Sequence, residues 1–229
     1  GYLPWDLAVL SAAQIPEQLK QSIRNDLIKI KGMGANTVRF WDVPAFCYRA
    51  LKELGGLAFI QTIWFNVEQY DLQDANFKEQ CRQTIRTHLD RIYSVYSQTD
   101  PPPVVAFLTG NELSVGAIQR TDQLHPEITV YHGTHVSAPD GSSATQCFLA
   151  EMADYVKTYE LATYGRTHLV SYANEIRTYP LLDAPFLDFR SMNAYSYNIR
   201  AFANPLPPPG SSTQTLFQGW IEFVKQGAP

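Results

Sequence analysis

Asn111 and Glu112 stand at the end of the run Val104-Val105-Ala106-Phe107-Leu108-Thr109-Gly110. Five consecutive apolar residues read as a short strand buried on both faces, as in a parallel sheet. A carboxylate just past the C-terminal end of such a strand sits where α/β barrels and open α/β sheets carry out their chemistry. There it is placed to give or take a proton. Gly110 permits a sharp turn, so that Asn111 and Glu112 project from the strand's mouth. The competing reading is a helix cap, since Asn is a good N-cap and Glu suits a first turn. Two further carboxylates follow apolar runs: Asp42, and Glu175 in Tyr172-Ala173-Asn174-Glu175. For both, the favoured expectation is a surface-loop carboxylate or a helix cap.

Other chemistries find little support in the residues. Cys47, Cys81 and Cys147 are far apart and form no CxxC pair, so neither a zinc ribbon nor a disulfide framework is expected. His132-x-x-His135 has a spacing that metal sites use, but only Glu127 and Asp140 stand near it. No metal and no cofactor are expected. Gly-rich phosphate loops and a GxSxG elbow are absent from the sequence. A net charge of −4 without a basic run argues against nucleic acid. No apolar stretch approaches the ~18–20 residues of a membrane span.

The elements that must position Glu112 are legible from periodicity. Leu19, Ile23, Leu27, Ile30 and Met33 recur at steps of three and four, an amphipathic helix over 17–33. A short strand over 35–40 follows, then a helix opened by Pro44 and closed by Gly55-Gly56. Leu57 to Phe65 is a second strand, and Phe77, Cys81, Ile85, Leu89 and Tyr93 share one face of a long helix. Beyond the strand at 104–108, Ser114 to Ser143 is polar and reads as a functional loop with some structure of its own. Phe148, Met152, Val156 and Tyr159 mark a helix, 168–173 and 187–195 two strands, and Leu216 to Val224 a last helix. Helix and strand thus alternate five times, which predicts βαβ units and a parallel sheet in one domain spanning 1–229.

Strand by strand, the chain resembles the catalytic barrel of the β-galactosidase and β-glucuronidase type, a branch of the retaining glycosidases on (β/α)8 barrels. Asp26 through Arg39, with Gly34-Ala35-Asn36-Thr37-Val38-Arg39, is similar to that family's first helix and second strand. Tyr48 through Ile60 is similar to the next helix and strand. Pro103 through Glu112, ending in Gly-Asn-Glu, resembles the fourth strand. Gly165 through Tyr172 resembles the fifth, and Asp188 through Tyr195, with Asn193-Ala194-Tyr195, the sixth. The expected fold is therefore an α/β (β/α)8 TIM barrel that is incomplete. Strands two to six are present, the first is clipped, and the seventh and eighth are missing. A TIM barrel usually needs ~250 residues. The chain is accordingly expected to be truncated at both ends and to continue into, or assemble with, the rest of a barrel. Alone it would leave two apolar sheet edges open.

The resemblance implies a glycoside hydrolase or transglycosidase that cleaves a β-linked oligosaccharide or polysaccharide with retention. Glu112 would be the general acid/base. Asn111 would bind the sugar hydroxyl beside the reacting carbon, Arg39 would line the pocket floor, and Tyr195 would donate to the nucleophile. That nucleophile, a Glu at the end of the family's seventh strand, is expected beyond Pro229, so activity of this segment alone is not expected. Trp41, Trp64 and Asn66 gather at strand ends as sugar-stacking and hydroxyl-binding residues; alternatively, Trp64 fills the barrel core. Phe107, Trp64 and Tyr195 would wall Glu112. Secretion would suit an enzyme that meets polysaccharides. The contrasting expectation is a noncatalytic carbohydrate-binding or assembly-supporting barrel module.

Overall fold

A computed structural model of the chain describes residues 13–67, 71–175, 178 and 181–193. Tyr195, the helix expected at 216–224 and the residues beyond it lie outside that range. Five helices and five strands are present among the described residues.

Helix α1, Glu17–Gly32, buries Ile23 and Leu27 and carries Glu17 in its first turn and Lys29 and Lys31 in its last. Those charges complement the helix dipole. The helix stops one residue short of Met33, which is 80% exposed rather than part of the apolar face. Strand β1, Thr37–Phe40, leads to α2, Ala45–Leu54, which ends at Gly55 with φ 64°. Strand β2 is Ala58–Ile63. Helix α3, Ala75–Tyr93, is capped by the Asp74 carboxylate, which accepts from the Phe77 amide at 2.8 Å. Strand β3 is Val104–Asn111.

Two helices then follow in succession, a departure from the strict alternation expected. Within the polar 114–143 stretch, α4 (Val115–Leu124) forms because the Ser114 hydroxyl accepts from the Ala117 amide. Ala117, Ile118 and Thr121 are its buried side. Helix α5, Ala144–Tyr164, starts at a reciprocal capping box between Ser143 and Gln146 and ends at left-handed Gly165. Strands β4, Leu169–Glu175, and β5, Ser191–Asn193, complete the sheet, with no helix among the described residues between them.

All four strand pairings are parallel, in the order β1-β2-β3-β4-β5. The sheet is curled into a half-barrel. Arg39 on the first strand donates to Asn193 on the last at 2.8 Å. In a flat sheet, four inter-strand spacings would hold these edges roughly 19 Å apart, beyond the reach of the two side chains.

The helix-facing side of the sheet carries the core. Phe40, Tyr48 and Phe59 pack with ring centroids 5.4–5.6 Å apart. Phe148 meets Phe77 and Phe65 at 5.9 and 6.2 Å. Gln61 is buried on this side but satisfied: Tyr48 donates to it at 2.6 Å, and it donates to the Trp41 carbonyl at 2.7 Å. At the strands' N-terminal end, fully buried Glu160 accepts from the Tyr93 hydroxyl at 2.7 Å and the His168 amide at 3.0 Å, and lies 2.6 Å from His168 Nδ1. Asp188 accepts from the Val170 amide at 2.7 Å and pairs with Lys157 at the same distance. These contacts fasten that end. No described helix is long and apolar enough to cross a membrane.

Candidate active site

The geometry around Glu112 begins with an irregularity in β3. Leu108 pairs with Ser171 and Asn111 with Ala173. Strand β3 therefore takes three residue steps where β4 takes two, a β-bulge of one extra residue. Side chains alternate along a strand, so without the bulge Asn111 would fall on the same side as Phe107. The extra residue returns it to the inner face. Gly110, with φ 82°, is where the chain makes this turn. Glu112 follows with φ 48°, the only described residue other than glycine in the left-handed region. Its amide donates to the Ala173 carbonyl at 2.9 Å, so it remains fastened to β4.

A side-chain network spans the mouth of the half-barrel. Arg39 donates through Nε to Thr62 at 2.8 Å, through Nη1 to Asn193 at 2.8 Å, and through Nη2 to Asn111 at 3.0 Å. Asn193 donates its amide to Asn111 Oδ1 at 3.0 Å and to Glu112 Oε1 at 2.7 Å. The Arg39 guanidinium lies 4.8 Å from the Trp41 ring centroid, a cation–π contact. Four strands thus contribute to one constellation. Arg39, Asn111, Glu112 and Trp41, expected at the site from the sequence, are brought together. Asn111 Oδ1 accepts both of the hydrogen bonds that tie it into the network.

Asn193 and Thr62 were not singled out from the sequence as site residues. Asn193 sits inside the Asn-Ala-Tyr segment that carries part of the resemblance, and that was the available signal. For Thr62 the signal is alternation, since it shares a register with inner-face Leu108.

Several expectations are corrected. Glu175 is no surface-loop carboxylate. It is 5% exposed, closes β4, and pairs in register with Asn193, which places it on the inner face beside the network. Phe107 does not wall Glu112: it pairs with Gln61 and Val170 on the helix-facing side and meets the His168 ring at 5.9 Å. Trp64 does not fill the barrel core, because it is 38% exposed. With Asn66, Phe77, Gln80 and Thr84 it lines a cleft of about 260 Å³ between the end of β2 and α3. Arg39, Asn111, Glu112 and Asn193 are not among the residues that line this cleft. Asp42 is an ion-pair residue. Burial pushes its carboxyl up, but His88 and Arg91 together outweigh that and hold it below the usual range. Arg91 also donates to the Val43 carbonyl at 2.9 Å, tying the loop after β1 to α3. Tyr195 lies outside the described residues.

Beneath the turn, the phenol of Tyr172 accepts from the Leu113 amide at 2.7 Å. Burial pushes its pKa up, the Leu113 hydrogen bond opposes, and the charges of Glu112 and Glu175 push it further up. The phenol is therefore a neutral acceptor at ordinary pH, close to both carboxylates. No protein-family model matches the chain, and no curated protein matches it significantly.

Proposed function

We propose that this chain belongs to a retaining glycoside hydrolase or transglycosidase acting on β-linked sugars, on a (β/α)8 barrel, with Glu112 as its general acid/base. The observation that carries this reading is the contact between Glu112 and Asn193 within the Arg39 network. It sets a carboxylate, an amide and a guanidinium at the C-terminal mouth of a curled parallel sheet, the functional end of such sheets.

Retention needs two carboxyl groups about 5–5.5 Å apart. Protonated Glu112 gives its proton to the glycosidic oxygen as the nucleophile carboxylate attacks the anomeric carbon. The carbon–oxygen bond breaks, the leaving sugar departs as an alcohol, and a glycosyl ester forms. Glu112, now a carboxylate, takes a proton from water or a sugar hydroxyl as that oxygen attacks the same carbon and expels the nucleophile. The nucleophile is a Glu from outside the described residues, with Tyr195 donating to it. Arg39 stabilises negative charge on the floor. Asn111 offers Nδ2 to the hydroxyl beside the reacting carbon. Trp64 and Asn66, on the cleft against α3, hold another sugar of the chain. The substrate is an oligosaccharide or polysaccharide, and the reading invokes no cofactor.

The test is Glu112→Gln in the intact protein. With circular dichroism unchanged, turnover of an unactivated β-glycoside should fall by about 10²–10⁴-fold. Wild-type turnover in that variant would overturn the assignment. A 2-deoxy-2-fluoro-glycoside that fails to label any carboxylate of an active preparation would exclude double displacement.

A further inference from the structure

Glu112 holds a backbone conformation that L residues seldom adopt, in a segment where Gly110, two residues earlier, is also left-handed. Such outliers persist where surrounding contacts over-determine them, and they gather at functional sites. Here a single side chain touches both flanks of Glu112. The Tyr172 ring lies against Gly110, its Cδ2 and Cε2 each 3.6 Å from where a Cβ on that glycine would stand. The same residue's hydroxyl takes the Leu113 amide at 2.7 Å. Leu113 is 1% exposed and Tyr172 3%, so water cannot readily replace that oxygen.

We infer that Tyr172 is a positioning residue: it holds the Gly110–Leu113 turn in its left-handed course and so aims the Glu112 carboxyl at Asn193 and the mouth of the half-barrel. The inference rests on the proposed acid/base role of Glu112 for its catalytic consequence, but not for its geometry. Removing only the hydroxyl orphans a buried N–H, and the turn can then recover a partner only by rotating. That rotation carries Glu112 away from the Asn193 amide. Ring packing alone does not prevent it, because a phenyl ring offers no acceptor to Leu113.

The test compares the intact protein with its Tyr172→Phe variant in three ways. Crystal structures should show Glu112 leaving positive φ in the variant, with the 2.7 Å contact to Asn193 opened; an unchanged Glu112 would overturn the inference. In the wild type, which does not depend on the variant folding, the Leu113 amide should exchange with solvent as slowly as the β3 ladder amides; fast exchange would likewise sink it. Third, kcat/KM, which reports bond breaking, is compared for 4-nitrophenyl and 2,4-dinitrophenyl β-glucosides and β-galactosides. The dinitrophenolate leaves without a proton, so the variant should lose at least about tenfold more on the nitrophenyl substrates. Equal losses on both would mean a merely structural role and would overturn the positioning claim. Should the wild type cleave none of them while the crystal structures come out as expected, the positioning stands and the sugar-cleaving reading falls.

Discussion

Asn193 Nδ2 donates to Glu112 Oε1 at 2.7 Å across 81 positions of sequence, while Oδ1 of the same side chain accepts from Arg39 at 2.8 Å. One small side chain on the last described strand therefore links the carboxylate after β3 to the guanidinium on β1. A hydrogen bond to a charged group is worth about 1.5–3 kcal/mol. Asn193→Ala should lower kcat/KM on β-glycosides by roughly 10–100-fold, the rate equivalent of that energy. Asn193→Asp should cost as much, because a carboxylate has no N–H to donate to Glu112. Steady-state kinetics with a melting curve of each variant checks this; full activity in Asn193→Ala would remove Asn193 from the site.

Arg39 uses three nitrogens on three strands, to Thr62, Asn111 and Asn193. A lysine keeps the charge but cannot reproduce the planar fork. Arg39→Lys should cost about 2–3 kcal/mol, since at least one buried acceptor loses its partner. Urea denaturation measures it, and a loss below about 0.5 kcal/mol, the range of surface substitutions, would show that the network does not brace the half-barrel.

Gly133 is required by close approach. A Cβ there would stand 2.1 Å from the Val136 carbonyl oxygen and 2.5 Å from Asp154 Cγ. Buried Asp154 accepts from the His135 and Val136 amides at 2.5 and 3.0 Å, so the loop cannot simply move aside. Gly133→Ala should destabilise by about 3 kcal/mol through overpacking and displaced hydrogen bonds. At about 2–4 °C per kcal/mol for a chain of this size, calorimetry will resolve it. A variant that melts with the wild type would contradict this packing.

His125 Nε2 lies 2.6 Å from Asp71, and its Nδ1 3.5 Å from Glu127. The hydrogen bond to Asp71 raises its pKa above 6.5, burial opposes, and the Asp71 charge adds to the rise. A raised folded-state pKa means the stabilisation is fully present below the unfolded value of about 6.5 and is lost as pH rises through the folded value. The wild-type melting temperature should therefore decline more steeply than that of His125→Gln as pH climbs from 6 to 9. Parallel curves would show that the pair does not fasten the start of α3 to α4.

Helices α1, α3 and α5 were legible because burial at steps of three and four leaves a periodic trace, and α2 because Pro44 opens it and Gly55 closes it. Helix α4 was less visible. Its buried side is only Ala117, Ile118 and Thr121, and a Ser N-cap amid polar residues also reads as loop. The favoured surface assignment of Glu175 failed because residue type says nothing about which partner strand covers a strand end. Register with Asn193, set by pairing across 18 residues, decides it.

From the sequence alone came the class of fold, the strand that carries Glu112, and the placing of Asn111 and Trp41 at strand ends, since apolar runs, glycines and residue order are local properties of the chain; Arg39 came in only through the family resemblance. The tertiary structure alone decided that Asn193 and Thr62 join the network, that Trp64 and Asn66 line a cleft against α3, and that a bulge turns Asn111 inward. The reason is physical: which side chains meet depends on the curl of the sheet and on a one-residue offset between β3 and β4, and both arise from pairing between strands distant in sequence.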